Sequence, residues 1–522
     1  MPDTCSSHHS GFHPPNRATR TPSAFVFAAL AALIPGCANR LPPRVNPAPP
    51  AGVYSAPSTP KPPFQFDSND QSFLDEVQHG AFNFLWNEGN AKTGMVPDRM
   101  SKPEVVSVAG VGFQLSALPI GVERGWITRE QGRERANRIL TTLAGNPRIV
   151  KAGFFQHFID ADTADLHHDK LEHVVSTIDS ALLFCGMITA AAYFEGDVKQ
   201  QSDALFAAAD FRFFLSGAGE HEEWKKGFIS LGWKPEKLSD PNGEGSLLPY
   251  YWLDSGCEHR LVTFLGVCAP NEQNRISPET YYRLRRTLGE YQGGGAMVWF
   301  PYSGALFVNQ FSHCWINYAA IGADDPAAFG FSNQRRAPVD WWENARRMTA
   351  MHQAKAVEAS ARYKTLGQNS WGLSASDCPK GYCVPGVFPK PVDMPGAKPK
   401  LDFATEHPKD DFGDGTIAPY AAGTAIMFDP TRAIAALRHY RSLQSAAGKP
   451  LIWNDPNAKT AHNYGFNDAF NLDVPWASTD FVSIDQGPLL LAIENARTGL
   501  IWRLFSSHPW VKDGMARLKL KF

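Results

Sequence analysis

From Ser68 onward, stretches with apolar residues every three or four positions alternate with stretches rich in Gly, Asp, Asn and aromatic residues. Ser68 and Gln71 fit a capping box, and Phe73, Val77, Ala81, Phe84 and Leu85 follow at helical spacing. A second apolar helix is predicted over 106–122. Thr128 with Gln131 caps a third, whose stripe is Ala136, Ile139, Leu140 and Leu143. Residues 153–160, GFFQHFID, alternate as a short strand does. Ser176-Thr177-Ile178-Asp179 then opens a helix buried along Leu182, Leu183, Met187, Ile188 and Ala191, and another follows over about 200–215. Glu258 begins a helix with Leu261, Val262, Leu265 and Val267 on its apolar side. Further helices are predicted over 277–290 and 338–360, from the Asp429-Pro430 cap to about Leu443, and from Asp485-Gln486-Gly487-Pro488 to near Gly499. A last one follows Ser506. The pattern amounts to about eleven or twelve helices with few strands and no 34-residue repeat signature. Helices alternating with loops over one long domain predict an all-α architecture of two concentric rings, with minor β-hairpins in the loops.

The loops carry the chemistry. From Gly367 to Ala421 the chain presents Asp377 and Asp414 in turn-forming sequence beside Trp371, Tyr382 and Tyr420. Gly372, Gly381, Gly413 and Gly415 mark sharp turns or close approaches there. Acids and aromatic faces together are how a sugar is held; the competing reading is a surface loop whose Asp side chains satisfy their own turns. Asp179 stands at the third position of its helix, where capping and sugar binding are both open. Glu258 follows Tyr250, Tyr251 and Trp252, and a carboxyl desolvated among aromatics has a raised pKa, as a general acid needs. Its alternative is a first-turn acid that compensates the helix dipole. Trp299, Tyr302, His313 and Trp315 share another aromatic segment, and a lone His there is more often structural than a metal ligand. Residues 463–471, NYGFNDAFN, form a further polar-aromatic loop with Asp468.

Net charge is −2 with a pI near 6.8, so neither a nucleic-acid partner nor an acidic solvating tail is indicated. Aromatic residues are 12% of the chain, enough for a large core or for carbohydrate stacking. At the N-terminus, Arg17 and Arg20 precede an apolar run from Ala24 to Ile34, the layout of an export signal and too short for a stable anchor. Cys37 directly after Gly36 resembles a bacterial lipobox, which makes residues 1–37 a lipoprotein-type signal and Cys37 the lipidated residue; Pro35 is atypical there, and ordinary cleavage is the alternative. A chain so processed belongs in the periplasm or on the outer membrane. The Pro-rich stretch to about residue 65 reads as a disordered tether. In an oxidising compartment Cys378 and Cys383 could close a small disulfide. Cys185, Cys257 and Cys268 lie in apolar surroundings as buried thiols. No Cys or His spacing indicates zinc, and Asp410-Asp411 is a poor calcium loop, so neither metal nor cofactor is expected.

The runs EHRLVTFLGVCAP from Glu258, WGLSASD from Trp371, DGTIAP from Asp414, GFNDAFN from Gly465 and IDQGP from Ile484 occur in the order found in the bacterial glucoamylase-like family. The resemblance covers about Phe66 to the C-terminus, and that family includes the endo-β-1,2-glucanases of glycoside hydrolase family 144. It implies an (α/α)6 toroid over 66–522 and inverting, endo-type hydrolysis of β-1,2-glucan. By that resemblance Glu258 is the acid and Asp468 the first choice of base, before Asp377 and Asp414. Asp179, Trp252, Trp299, His313, Trp315, Trp371, Tyr382 and Asp485 become substrate-binding candidates. Departures are Val174 and Asn317, where the family usually has acids. Arg335 or Arg336 could bind hydroxyls or be plain surface charge. A polysaccharide lyase on the same toroid and a non-catalytic glycan-binding lipoprotein are the rival readings.

Overall fold

The most apolar helices are the most enclosed. In the computed structural model, α1 spans Ser68–Asn87, α2 Val108–Glu123, α3 Arg129–Gly145, α4 Thr177–Phe194, α5 Gly196–Ala207, α6 Cys257–Cys268 and α7 Pro278–Arg283. Then come α8 Tyr318–Ile321, α9 Trp341–Ala359, α10 Pro419–Thr424, α11 Pro430–Ser442, α12 Ser483–Arg497, α13 Leu500–Ser507 and α14 Pro509–Arg517. The structure describes residues 52–521 except 57, 169–172, 218–222, 332–335, 394–397, 399–401, 403–407 and 460. Arg335 and Cys37 lie outside the described residues.

α2 is buried at every position from Val108 to Gly121, α10 throughout, and α6 everywhere except Glu258. A helix apolar all round must be covered all round. α1, α3, α5, α9 and α11 instead bury one stripe and expose charged residues on the other side. Enclosed and amphipathic helices alternate along the chain. α2 and α4 pack closely through Gly112 and Gly186: a Cβ on Gly186 would stand 2.1 Å from the Gly112 carbonyl oxygen, so neither tolerates a side chain.

The N-terminal ends of the enclosed helices are joined in a closed circuit. His157 between α3 and α4 accepts from Val108 N–H of α2 and donates to Val174 before α4. Trp252 Nε1 before α6 donates to Thr177 Oγ1 of α4 at 2.9 Å. Arg260 Nη2 of α6 reaches Ser312 Oγ at 3.4 Å, and Gln310 Nε2 donates to Ala421 O of α10 at 2.8 Å. Ile417 before α10 pairs with Phe470, and Asp468 N–H donates to Asp480 O before α12. Ser483 N–H of α12 donates to Asp98 O, and Asp98 N–H to Val105 O before α2. One rim of the molecule is therefore built from the first turns of these helices and the loops feeding them.

The described strands form seven small sheets of two or three strands each, all in inter-helix segments. GFFQHFID gives two of them, Phe154–Phe155 and Phe158–Asp160. The capping box of Thr128 and Gln131 is present. The first helix is capped by Asp67 rather than Ser68, and the 277–290 segment splits into α7 and the strand Leu288–Glu290. Two helices, α13 and α14, occupy the C-terminus, one more than the sequence pattern shows.

The expected tether is docked from residue 52. Val53 is fully buried and bridges Val339, Lys61 Nζ donates to Ala319 O, and Phe64 N–H donates to Ala496 O. Apolar residues between the prolines override the compositional signal of disorder, because Val53 and Phe64 find a core to enter.

Candidate active site

Two groups of acids stand on this rim. In the first, Ser176 caps α4, and its Oγ contacts both Asp179 N–H (3.3 Å) and Asp179 Oδ2 (2.5 Å). His157 Nε2 lies 3.4 Å from Asp179 Oδ1, and its ring stacks on Phe158. Glu258, in the first turn of α6, is the one residue of that helix that is only partly buried as a whole, its carboxyl end lying inward. Burial of its carboxyl, with the Asp179 carboxylate beside it, pushes the Glu258 pKa up to about 8. The group therefore holds a proton at neutral pH and can give it away.

In the second group, Asp468 is 2% exposed. Its Oδ2 accepts Asp377 N–H at 2.6 Å, while its Oδ1 is buried and takes no N–H or O–H from a neighbouring serine, amide or cation. Asp485, in the first turn of α12, lies against it. Burial first and then the Asp468 charge push Asp485 well above the carboxylate range, and burial raises Asp468 to about 6. The pair thus holds one proton between its two carboxyls, as in any pair of buried carboxyls too close to ionise together.

Arg99, on the loop between α1 and α2, organises the surroundings. Its Nη1 lies 2.8 Å from Asp377 Oδ1 and 3.5 Å from Asp480 Oδ2, and its Nε 3.4 Å from Asp98 Oδ2. Burial works against its charge, but Asp98, Asp377 and Asp468 outweigh that and hold the guanidinium well above its usual range. Ser478 Oγ donates to Asp377 Oδ2 at 2.9 Å, and Ser101 holds Asp480. Tyr382 and Tyr420 complete the wall: burial, then Asp485, pushes both phenols well up, and Tyr420 OH is fixed by Ser374 and Ala375. Asp377 and Tyr382 face each other across the hairpin Ser376–Cys378/Gly381–Cys383, which the Cys378–Cys383 disulfide closes.

Several sequence-based assignments need correction. Asp414 Oδ1 accepts from Thr416 N–H and Oγ1, so it satisfies its own turn and stands outside both acid groups. Trp299, Trp315 and Trp371 are at most 2% exposed, and His313 is packed between Tyr318 and Phe428. Trp315 donates to Ser116, Trp252 is 8% exposed with its ring against His259, and Trp371 is bracketed by Tyr440. These rings fill the spaces between helices and are core, not sugar platforms. Arg336 is buried against Arg283 O and Asp402, neither surface charge nor a free hydroxyl binder. Val174 is buried, and Asn317 caps α8. Asp410 is paired with Lys355. Sequence reasoning missed Arg99, Asp98, Asp480, Ser478 and His157; they stand singly in loops, without the periodicity or spacing that flags a residue.

A helix-rich protein with one carboxyl held protonated and a second, coupled carboxyl pair on the same rim has the groups that acid–base catalysis uses. The chain belongs to the glycoamylase family: residues 249–509 match the family model described as "Putative glucoamylase". It is 25% identical over 480 residues, 87% of its length, to an exo β-1,2-glucooligosaccharide sophorohydrolase (non-reducing end) of Parabacteroides distasonis. It spans 58% of the length of that relative. The solved endo-β-1,2-glucanase of Chitinophaga pinensis, in complex with sophorotriose and glucose, superposes with a TM-score of 0.67 at 22% identity, over 86% of this chain and 98% of that one. A β-1,2-glucanase from Parabacteroides distasonis gives 0.68 at 24% identity, over 87% of this chain and 60% of the other.

Proposed function

We propose that this chain is an inverting glycoside hydrolase that cleaves β-1,2-linked glucan on an (α/α)6 toroid. The observation that carries the reading is Glu258, a carboxyl held protonated near pH 8 by burial and Asp179, on the same rim as the Asp468–Asp485 pair. The closed circuit of helix N-termini and the alternation of enclosed and amphipathic helices support the toroid. Membership of the family and similarity to β-1,2-glucan hydrolases support the substrate.

Inversion needs one acid to protonate the departing oxygen and one base to take a proton from water on the other face of the sugar. Glu258 is the acid. Asp468 is the base, with Asp485 holding a proton against it and Asp377 and Arg99 fixing its position. Tyr382, half-buried on its hairpin, supplies the aromatic surface beside that pair.

The test is incubation of the purified protein with linear β-1,2-glucan and analysis of the products. Oligosaccharides that disappear with Glu258→Gln support the reading; a mixture of lengths marks endo cleavage, and disaccharide alone marks exo cleavage. Unsaturated products absorbing in the ultraviolet would instead identify a lyase, and no products from any glucan a binding protein. The signal-like N-terminal sequence, with Cys37 directly after Gly36, supports a location on the outer membrane or in the periplasm. Labelling with a fatty-acid analogue in a bacterial host should mark the wild type and spare Cys37→Ser; equal labelling would remove the lipid anchor from the reading.

A further inference from the structure

We propose that the Cys378–Cys383 disulfide is a positioning element of the active site, so that activity depends on its being oxidised. The proposal rests on the hydrolase reading of the Asp468–Asp485 pair.

The hairpin it closes consists of two three-residue strands, in the register Ser376↔Cys383, Asp377↔Tyr382 and Cys378↔Gly381. Two strands of this size do not hold themselves in water. The second strand brings little apolar burial, since Gly381 is exposed and Tyr382 and Cys383 are only partly covered. Yet Asp377, at its centre, reaches the acid pair. Asp377 N–H donates to Asp468 Oδ2 at 2.6 Å, its carboxylate takes Arg99 at 2.8 Å, and the Tyr382 phenol lies close enough to feel Asp485 and Asp468. The covalent bond joins the residue after Asp377 to the residue after Tyr382. It therefore fixes Asp377, and with it the contact to Asp468, against the opposing strand, which the short ladder alone does not do. Loss of that constraint returns conformational freedom to the six-residue loop 378–383, which directly follows Asp377, whose backbone N–H fixes the base. Displacement of a catalytic group by about 1 Å costs on the order of 100-fold in rate. Cys378 is buried, but Cys383 is partly exposed and the turn residues Lys380 and Gly381 are exposed, so a small reductant can reach the bond from the Cys383 side.

The experiment compares the oxidised protein with protein treated with a dithiol reductant. The reductant gives two electrons and two protons to the sulfur–sulfur bond, which breaks to two thiols while the reductant closes its own disulfide. Cys378→Ser/Cys383→Ser serves as the non-reducible control. Expected are a fall in kcat of about tenfold or more on linear β-1,2-glucan with KM changed by less than about threefold, and recovery on reoxidation of the wild type. A purely stabilising bond would lower Tm but leave kcat below Tm unchanged, and kcat within about twofold of the oxidised enzyme overturns the proposal. Amide hydrogen exchange separates this from failure of the hydrolase reading. If even the oxidised protein is inactive on the glucan, faster exchange of the Asp377 amide after reduction still supports the positioning role. An unchanged rate overturns it.

Discussion

Glu258 makes its function and its cost visible in one titration. Its carboxyl is protonated below about pH 8, so the rate should fall as pH rises through that value, as the acid loses its proton. Asp179→Asn removes the neighbouring negative charge and should move this basic limb to lower pH; a limb that stays in place would show that Asp179 does not act on Glu258. The same raised pKa bears on stability. Its contribution is fully present below the unfolded carboxyl value, roughly 4.3, and is lost as pH rises through about 8. Glu258→Gln should therefore melt higher than the wild type by about 2 °C or more at pH 8 and at the same temperature near pH 4. Thermal scans at both values decide this. The two loop aspartates should part company: Asp377→Asn loses its ion pair with Arg99 and should cost about 100-fold in kcat. Asp414→Asn, whose oxygen still accepts from Thr416, should stay within about threefold. Equal losses in both variants would contradict the site as drawn.

At the scale of elements, the first turn is the unit that matters. Ser176 and Asp179 on α4, Glu258 on α6 and Asp485 on α12 all stand where a helix dipole favours an acid. Capping and function are therefore not alternatives here: Asp179 takes Ser176 at the helix end and presses on Glu258 across the rim. The bodies of these helices do other work. Trp315 lies wholly inside, with Nε1 on Ser116 Oγ of α2 and its ring on Phe113. Trp315→Phe should cost about 1–3 kcal/mol by leaving that hydroxyl short of a partner. Its KM for the glucan should remain within about twofold. A large rise in KM with unchanged denaturant midpoint would restore the sugar-platform assignment. Helix existence was legible from periodicity, as at α1, α3 and α11. The depth at which an aromatic sits was not, because a Trp in a sugar cleft and a Trp between helices have the same neighbours in sequence.

For the molecule as a whole, the N-terminal segment belongs to the folded body. Val53, bridged to Val339, and Phe64, bonded to Ala496, strap α9 and α12. A chain beginning at Gly52 should melt with the full-length protein, and one beginning at Phe66 several degrees lower, about 3 °C or more for the loss of the buried Val53 and the partly buried Phe64. Coincident melting curves would show the strap to be incidental. The order of helices, their caps and amphipathic stripes, and the residue types a carboxylate mechanism uses are all legible along the chain. These are local consequences of spacing and hydrogen-bonding chemistry within a few residues. Which acids meet follows from the packing of the folded chain. Asp468 and Asp485 share a proton, Asp377 braces them through its backbone, and Arg99 arrives from far upstream. Proximity of that kind comes from closing the helices into one circuit, and the desolvation that shifts each carboxyl exists only once the surrounding helices exclude water.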